Sequence, residues 1–358
     1  MATTFKTFLT NDVVSTRTML HEAIPMTGTI ASGTYTNKAG AEHNIKNYSH
    51  GMFQSVYDYP YLSSSANHIY DIAVGYSALS PLSGASSVQN SKKINIYNQM
   101  AQVLMGHSAS GEILRFDQDG DLLSGGTKLN ECVFFNFSRL LTKDEIKKGS
   151  FSATFLTGGT QAAPFGALTI TDAAATNDFR INSPAGEYGI LLDGSSNKLG
   201  LLFYQAGVAV LTASVFTSLE SFGMLARQRL VSYGIGAPGA TYDTSSMESL
   251  LTGSHITASC DGIRNRLQSV SFNNTTELNS TIYFCRVNHN DYNYTANPTY
   301  LSGSKIRVKN ATTDSPVSYI TTVGLYSADN ELLAVAKLSE PLKKDPTTEF
   351  TLRVRLDY

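Results

Sequence analysis

The chain contains no tryptophan and little charge: 16% of its 358 residues are Asp, Glu, Lys or Arg, against roughly 25% in an average soluble protein. The charges nearly cancel, 27 Lys plus Arg against 29 Asp plus Glu. The basic footprint that a nucleic-acid binder needs is therefore missing, and no nucleic-acid partner is expected. Cysteine is scarce as well. Cys132, Cys260 and Cys285 are odd in number, far apart and set beside apolar residues. They argue against a disulfide framework or a zinc motif and predict small buried thiols made in a reducing cytoplasm. The opening stretch MATTFKTFLTNDVVS lacks the apolar core of a secretory signal. No window approaches the roughly 18 apolar residues of a membrane-spanning helix, so no membrane span is expected. With so few charges, the polar surface must come from Ser, Thr, Asn and Tyr. Such a surface suits a protein largely covered by neighbours, where isolated charges are costly to bury. A β-rich protein with long Ser/Thr/Asn loops would have the same composition.

What is present is mostly strand pattern. Near the C-terminal end, Phe350, Leu352, Val354 and Leu356 alternate with Thr351, Arg353, Arg355 and Asp357, the period of a half-buried strand. Before it, TTVGLY, the turn set Ser327-Ala328-Asp329-Asn330 and ELLAVAKL predict a hairpin, because Asp and Asn tolerate the backbone a tight turn demands. Pro341 and Pro346 are expected to break the pattern between the hairpin and the last strand. Further strands are predicted at 132–141, 150–156, 188–193, 198–205, 208–216, 267–272 and 280–287.

Helices are few. Ile94, Tyr97, Ala101 and Leu104 follow 3.6-residue spacing and predict a helix over Asn90–Met105, capped by Ser91 and ended by Gly106. Thr142-Lys143-Asp144-Glu145 has the form of a capping box and predicts a short helical turn ending at Gly149. Two more helices are predicted at about 245–251 and 255–267. In the second, Ile256, Cys260, Ile263 and Leu267 share a face, and Asp261, Arg264 and Arg266 lie elsewhere on it. The expected fold is mainly β with minor α, a β-sandwich-like core with a few short helices and an all-β insert. Three segments are expected: residues 1–156 as the N-terminal part of the core, 157–235 as the variable insert, and 236–358 as the C-terminal part. A linker at Gly234–Gly239 separates the last two.

Chemistry-bearing motifs are wanting. Asp117-Gln118-Asp119-Gly120-Asp121 invites a calcium reading, but an EF-hand loop starting at Asp117 needs Gly at its sixth place and Glu at its twelfth. Those places hold Leu122 and Lys128. A turn joining Arg115-Phe116 to Leu122-Leu123 accounts for the residues better. The seven histidines show no metal-ligand spacing. There is no GxSxG, no Walker A loop and no GxGxxG after a strand. No catalytic residue, metal or cofactor is therefore assigned, and the expectation is a protein that is not an enzyme. Two segments instead have the character of contact surfaces. Tyr57, Tyr59 and Tyr61 flank Asp58 and Pro60, and Pro60 forbids a regular central strand, so these rings belong on an extended edge or loop. The same rings could simply cap a core without Trp. The second segment is the polar arm 288–304, which carries Asp291, Tyr292, Tyr294 and Tyr300 and is too long for a plain turn.

The hairpin also carries a likeness. Ile320, Val323, Gly324, Leu325 and Tyr326, then Asp329 and Asn330, then Leu332, Leu333, Ala334 and Val335 resemble a module that recurs in tail and fibre proteins of tailed phages. The stretches at 44–72, 90–104 and 286–308 are similar to virion structural proteins of contractile-tailed phages, cyanophages and other marine myoviruses among them. The likeness spans most of the chain outside 157–240. It implies a structural role in the virion, at the baseplate or tail-neck region, after assembly in the host cytoplasm. The implied partners are copies of itself and other virion proteins. A head-to-tail connector or capsid-attached protein is the alternative within the particle. A glycan-binding adhesin at the tail tip, with a host glycan as partner, is the alternative from another class.

Overall fold

The computed structural model describes residues 5–33, 44–84, 88–122, 126–159, 164–216, 247, 251–252, 255–294, 297–302, 305–306 and 315–358. The protein is mainly β, with few and short helices. In chain order the strands begin with β1 (Val13–Thr27), β2 (Ile45–Asn47), β3 (Gln54–Tyr57), β4 (His68–Tyr76), β5 (Glu131–Phe137) and β6 (Glu145–Ile146). They continue with β7 (Ser152–Gly159), β8 (Pro164–Thr171), β9 (Phe179–Arg180), β10 (Tyr188–Asp193), β11 (Lys198–Phe203) and β12 (Val208–Thr212). The last are β13 (Leu267–Val287), β14 (Leu301–Ser302), β15 (Lys305–Ile306), β16 (Ser318–Tyr326), β17 (Leu332–Lys344) and β18 (Phe350–Asp357). Two compact units result, a larger one of residues 20–276 and a smaller one of residues 1–19 and 277–358. The chain enters the larger unit within β1 and leaves it near the middle of β13.

In the larger unit the antiparallel order is β13–β7–β8–β10–β11–β12–β5–β4–β3–β2, with β6 beside β13 and β9 beside β10. The strands expected to form an insert lie inside this unit, between β7 and β5. The linker 234–239, the 235/236 boundary and most of the helix expected at 245–251 lie outside the described residues. The sheet folds back on itself, so that strands distant in this order meet face to face. Phe135 of β5 packs on Phe155 of β7 with ring centroids 5.9 Å apart, and Phe137 packs on Phe272 of β13 at 5.2 Å. The other face of β5 is covered too: Phe134 lies 5.7 Å from Phe116 and 6.5 Å from Tyr97. Burial on both faces explains why Cys132–Phe135 is an unbroken apolar run.

The helix Val88–Leu104 buries Ile96, Tyr97, Ala101 and Leu104, close to the predicted face. It begins earlier than expected, so Ser91 lies inside it and is not the cap; Gly106, at φ +79°, follows its end. It packs closely on β4 because position 75 is glycine. A Cβ there would stand 2.7 Å from the Lys93 carbonyl oxygen and 2.9 Å from the Tyr97 nitrogen. Lys93 itself is fully buried and donates to the Leu251 carbonyl. Burial pushes its pKa down to about 8. The helix Ile256–Arg266 forms where it was expected and is buried nearly all round. Nine of its eleven residues are buried, Asp261, Arg264 and Arg266 among them, so it has no solvated polar face.

Other departures follow from strand pairing. The helical turn near Thr142 comes earlier than expected, at Arg139–Thr142, and Lys143 at φ +55° ends it. Glu145 and Ile146, predicted helical, pair with Thr275 and Asn274 of β13. The strands expected at 267–272 and 280–287 are one continuous strand whose polar middle buries Asn274 and Thr275. Strand β1 runs on through Pro25, as an edge strand can. Strand β17 runs on through Pro341, where the ladder slips: Ile320 pairs with Leu342 and Thr322 with Lys337. The proline thus sits in a bulge and not at a strand end. Around DQDGD, the Gln118 amide donates to the Thr127 carbonyl, and the Leu129 amide to that of Phe116, so Phe116 and Gln118 meet 127–129; Leu123, expected on the returning side, lies outside the described residues. The buried Asp117 carboxylate accepts from the Asp119 amide and from Lys128. Cys132 and Cys260 are buried free thiols, and Cys285 is half-buried.

Candidate functional site

The smaller unit is organised by the C-terminal half of β13, which pairs with β18 from Ser280 opposite Asp357 to Val287 opposite Phe350. Ser15 and Thr16 of β1 bond Thr281 and Ser280. The alternation in β18 is realised as predicted, with Phe350, Leu352, Val354 and Leu356 half-buried and the residues between them exposed. The hairpin of β16 and β17 forms as expected. Its turn is closed by the Ser327 amide to the Glu331 carbonyl at 2.8 Å, and Asn330 takes φ +64°. The Ser327 hydroxyl accepts from the amides of Asp329 and Glu331.

Among the described residues β16 and β17 pair only with each other. A lone two-stranded hairpin is marginal in water, and stability normally needs a third strand or a packed face. Here Tyr319 is 63% exposed, Leu333 68% and Val335 52%, with Leu332 exposed beside them. Only Leu325 is buried among the hairpin's apolar residues. Its base is fixed by Lys344, fully buried, whose ammonium donates to the His289 carbonyl, the Asn293 side chain and the Asp345 carbonyl. Ser318 adds a hydrogen bond to the Tyr292 carbonyl at 3.1 Å.

Beside β16 lies a groove of about 820 Å³, walled by aromatic rings: Phe5, Phe8, Tyr292, Tyr294, Tyr319 and Tyr326. Phe5 and Tyr326 meet at 4.7 Å. The groove's polar lining includes the Asp12–Arg286 ion pair and Lys6. The hydrogen bond from Arg286, then that from the Leu9 amide, holds the Asp12 carboxyl below the usual carboxylate range.

The predicted contact residues divide between the two units. In the smaller one, Tyr292, Tyr294 and Tyr300 are exposed, and Tyr292 and Tyr294 line the groove. Asp291 pairs with Lys6 and accepts from the Asn288 amide, and these bonds lower its pKa. In the larger unit, Tyr57 ends β3 half-buried, 6.2 Å from Tyr61 and 5.5 Å from His68. Tyr59 and Tyr61 follow in the exposed loop. The exposed apolar side of β17 was not singled out from sequence. Its signal was the Leu332-Leu333 doublet, which puts apolar residues on both faces of a strand. Among the described residues no cluster of His, Cys, Asp and Glu could hold a metal, and no helix is long and apolar enough to cross a membrane. Comparison of the chain with family models, with curated proteins and with solved structures finds no match in any of the three.

Proposed function

We propose that this chain is a structural component of a phage virion, placed in the tail at the baseplate or tail-neck region and acting through protein–protein contacts. The observation that carries the reading is the β16–β17 hairpin. Its sequence bears the likeness to phage tail and fibre proteins, and its apolar residues Leu332, Leu333 and Val335 stand exposed on a hairpin that, among the described residues, pairs with no third strand. Exposed apolar patches and free strand edges are joints for another chain. The partners are copies of itself and other virion proteins, and no reaction is assigned to it. A head-to-tail connector would use the same joints and differ in copy number, which mass spectrometry of purified particles measures.

The test is Leu333→Glu together with Val335→Glu. Both side chains are exposed, so the isolated protein should keep its circular dichroism and melting temperature, while its amount in purified particles falls at least about tenfold, the effect of about 1.4 kcal/mol. Particles that take up the variant at the normal copy number would overturn the reading. The groove favours a second reading, because tyrosine faces beside a polar pair are a platform for a sugar ring. A glycan array with the isolated protein decides whether the tail-tip adhesin reading replaces the first.

A further inference from the structure

A polar pocket in the larger unit has no part in the reading above. Strand β2 ends in a turn, where the Gly51 amide donates to the Tyr48 carbonyl at 3.0 Å and Gly51 takes φ +63°. This turn, Gln89 and Lys92 of the long helix, and His255 and Thr257 at the start of the buried helix line an open cleft of about 390 Å³. That size lies within the range of small-ligand sites. Among the described residues no Asp or Glu lines the space, while Lys92 and two histidines do.

The hydrogen bonds around the pocket fix which ends of its side chains remain as donors. Arg264 can only donate, and its Nε donates to Gln54 Oε1 at 3.1 Å. The other end of Gln54 must therefore be its NH2, which donates to Asp261 Oδ1 at 3.0 Å and to Asn47 Oδ1 at 2.8 Å. Asn47 thus spends its oxygen on the protein and keeps its NH2. The Met52 amide donates to His50 Nδ1 at 3.1 Å, which puts the proton of the neutral ring on Nε2. That ring is held by stacking on Tyr48, centroids 5.1 Å apart and planes 9° apart. Lys92 donates one N–H to the His50 carbonyl at 3.1 Å, leaving two of its three. Lys46 lies 4.9 Å from the Tyr48 ring centroid and adds positive charge behind it.

Donors and positive charge without a carboxylate call for an anion with several acceptor oxygens. We propose that this pocket binds small molecules carrying a phosphate or sulfate group, with Lys92, His50 and Asn47 holding the oxyanion and the rest of the pocket taking the ester's organic part. The proposal is independent of the virion reading.

Isothermal titration of the full chain at low salt tests it, with inorganic phosphate, sulfate, phenyl phosphate and phenyl sulfate as probes and phenol as the uncharged control. Saturable binding of phenyl phosphate, phenyl sulfate or both is expected, with none of phenol; which of the two binds identifies the group. Lys92→Met and Asn47→Asp should each weaken binding about tenfold or more, the loss of one charge-assisted bond. The second substitution keeps an oxygen for Gln54 and replaces only the donor, so it spares the buried network. Amide NMR shifts on adding the ligand should centre on residues 47–51. Heat without saturation for every anion up to about 10 mM, beyond the range where even weak sites fill, would overturn the proposal. So would equal affinity in both variants, or NMR shifts that leave residues 47–51 unmoved.

Discussion

Replacing Arg264 by methionine removes the centre of a buried polar cluster in the larger unit. Arg264 is 2% exposed. It pairs with Asp261, donates to Gln54, and reaches the carbonyls of Ser32 at 2.6 Å and Gly33 at 3.2 Å. Methionine fills much of the volume but donates nothing. Asp261, 4% exposed, keeps Gln54's amide and loses its ion pair. Breaking a buried pair from one side costs about 3–5 kcal/mol, chiefly because a buried charge is left poorly compensated. Urea unfolding followed by circular dichroism measures the loss as a fall in midpoint at constant slope. The doubly substituted Arg264→Met, Asp261→Asn chain removes both charges of the pair and should recover part of it. A single-variant loss below about 1 kcal/mol, the range of surface pairs, would refute the claim that this cluster holds the helix Ile256–Arg266 in place. A double variant less stable than Arg264→Met alone would refute the charge argument.

Two further outcomes concern the same unit. Burial holds the folded pKa of Lys93 at about 8, below its ordinary value of 10.5. Between those values the unfolded chain binds the extra proton, so stability should rise with pH there, by about 3 kcal/mol for this one group. Below pH 8 both states are protonated and the contribution is flat. Unfolding titrations from pH 7 to 10.5 should show the rise in the wild type and not in Lys93→Met; identical profiles would rule it out. Gly75→Ala would drive a methyl into the helix backbone at 2.7 and 2.9 Å. Because backbone atoms yield little, the cost should be about 1–3 kcal/mol, read from the same urea curves. A neutral substitution would mean that the helix shifts freely on β4.

The strands were legible where one local rule was enough. The strict alternation in β18 and the apolar run in β5 needed only the period of side chains, and the Asp-Asn turn marked the hairpin. Sheet order was not legible, since β5 pairs with β12 and β13 with β7 across long stretches of chain that hold other strands, a pairing no local pattern encodes. Partner strands also overrode local signals: Glu145-Ile146 has a helix-start pattern but fills a place beside β13. In the helix Ile256–Arg266 the apolar face was legible, but the burial of Asp261 and Arg264 was not, because mutual neutralisation by a buried partner leaves no periodic trace. For the contact surfaces, the exposed tyrosines were visible as types in loops. The walls of the groove were not, because Phe5, Phe8 and Tyr326 meet only after the distant β16 has been placed.

The smaller unit is assembled from residues 1–19 and 277–358, and this sets a timetable for its birth on the ribosome. Ser15 must wait for Thr281, which is translated 266 residues later, whereas every strand of residues 20–276 has its neighbours in hand sooner. The larger unit can therefore mature while synthesis is still under way. The exposed apolar hairpin lies C-terminal to all of residues 20–276, so its sticky surface emerges only on a chain whose larger unit already has every strand it needs.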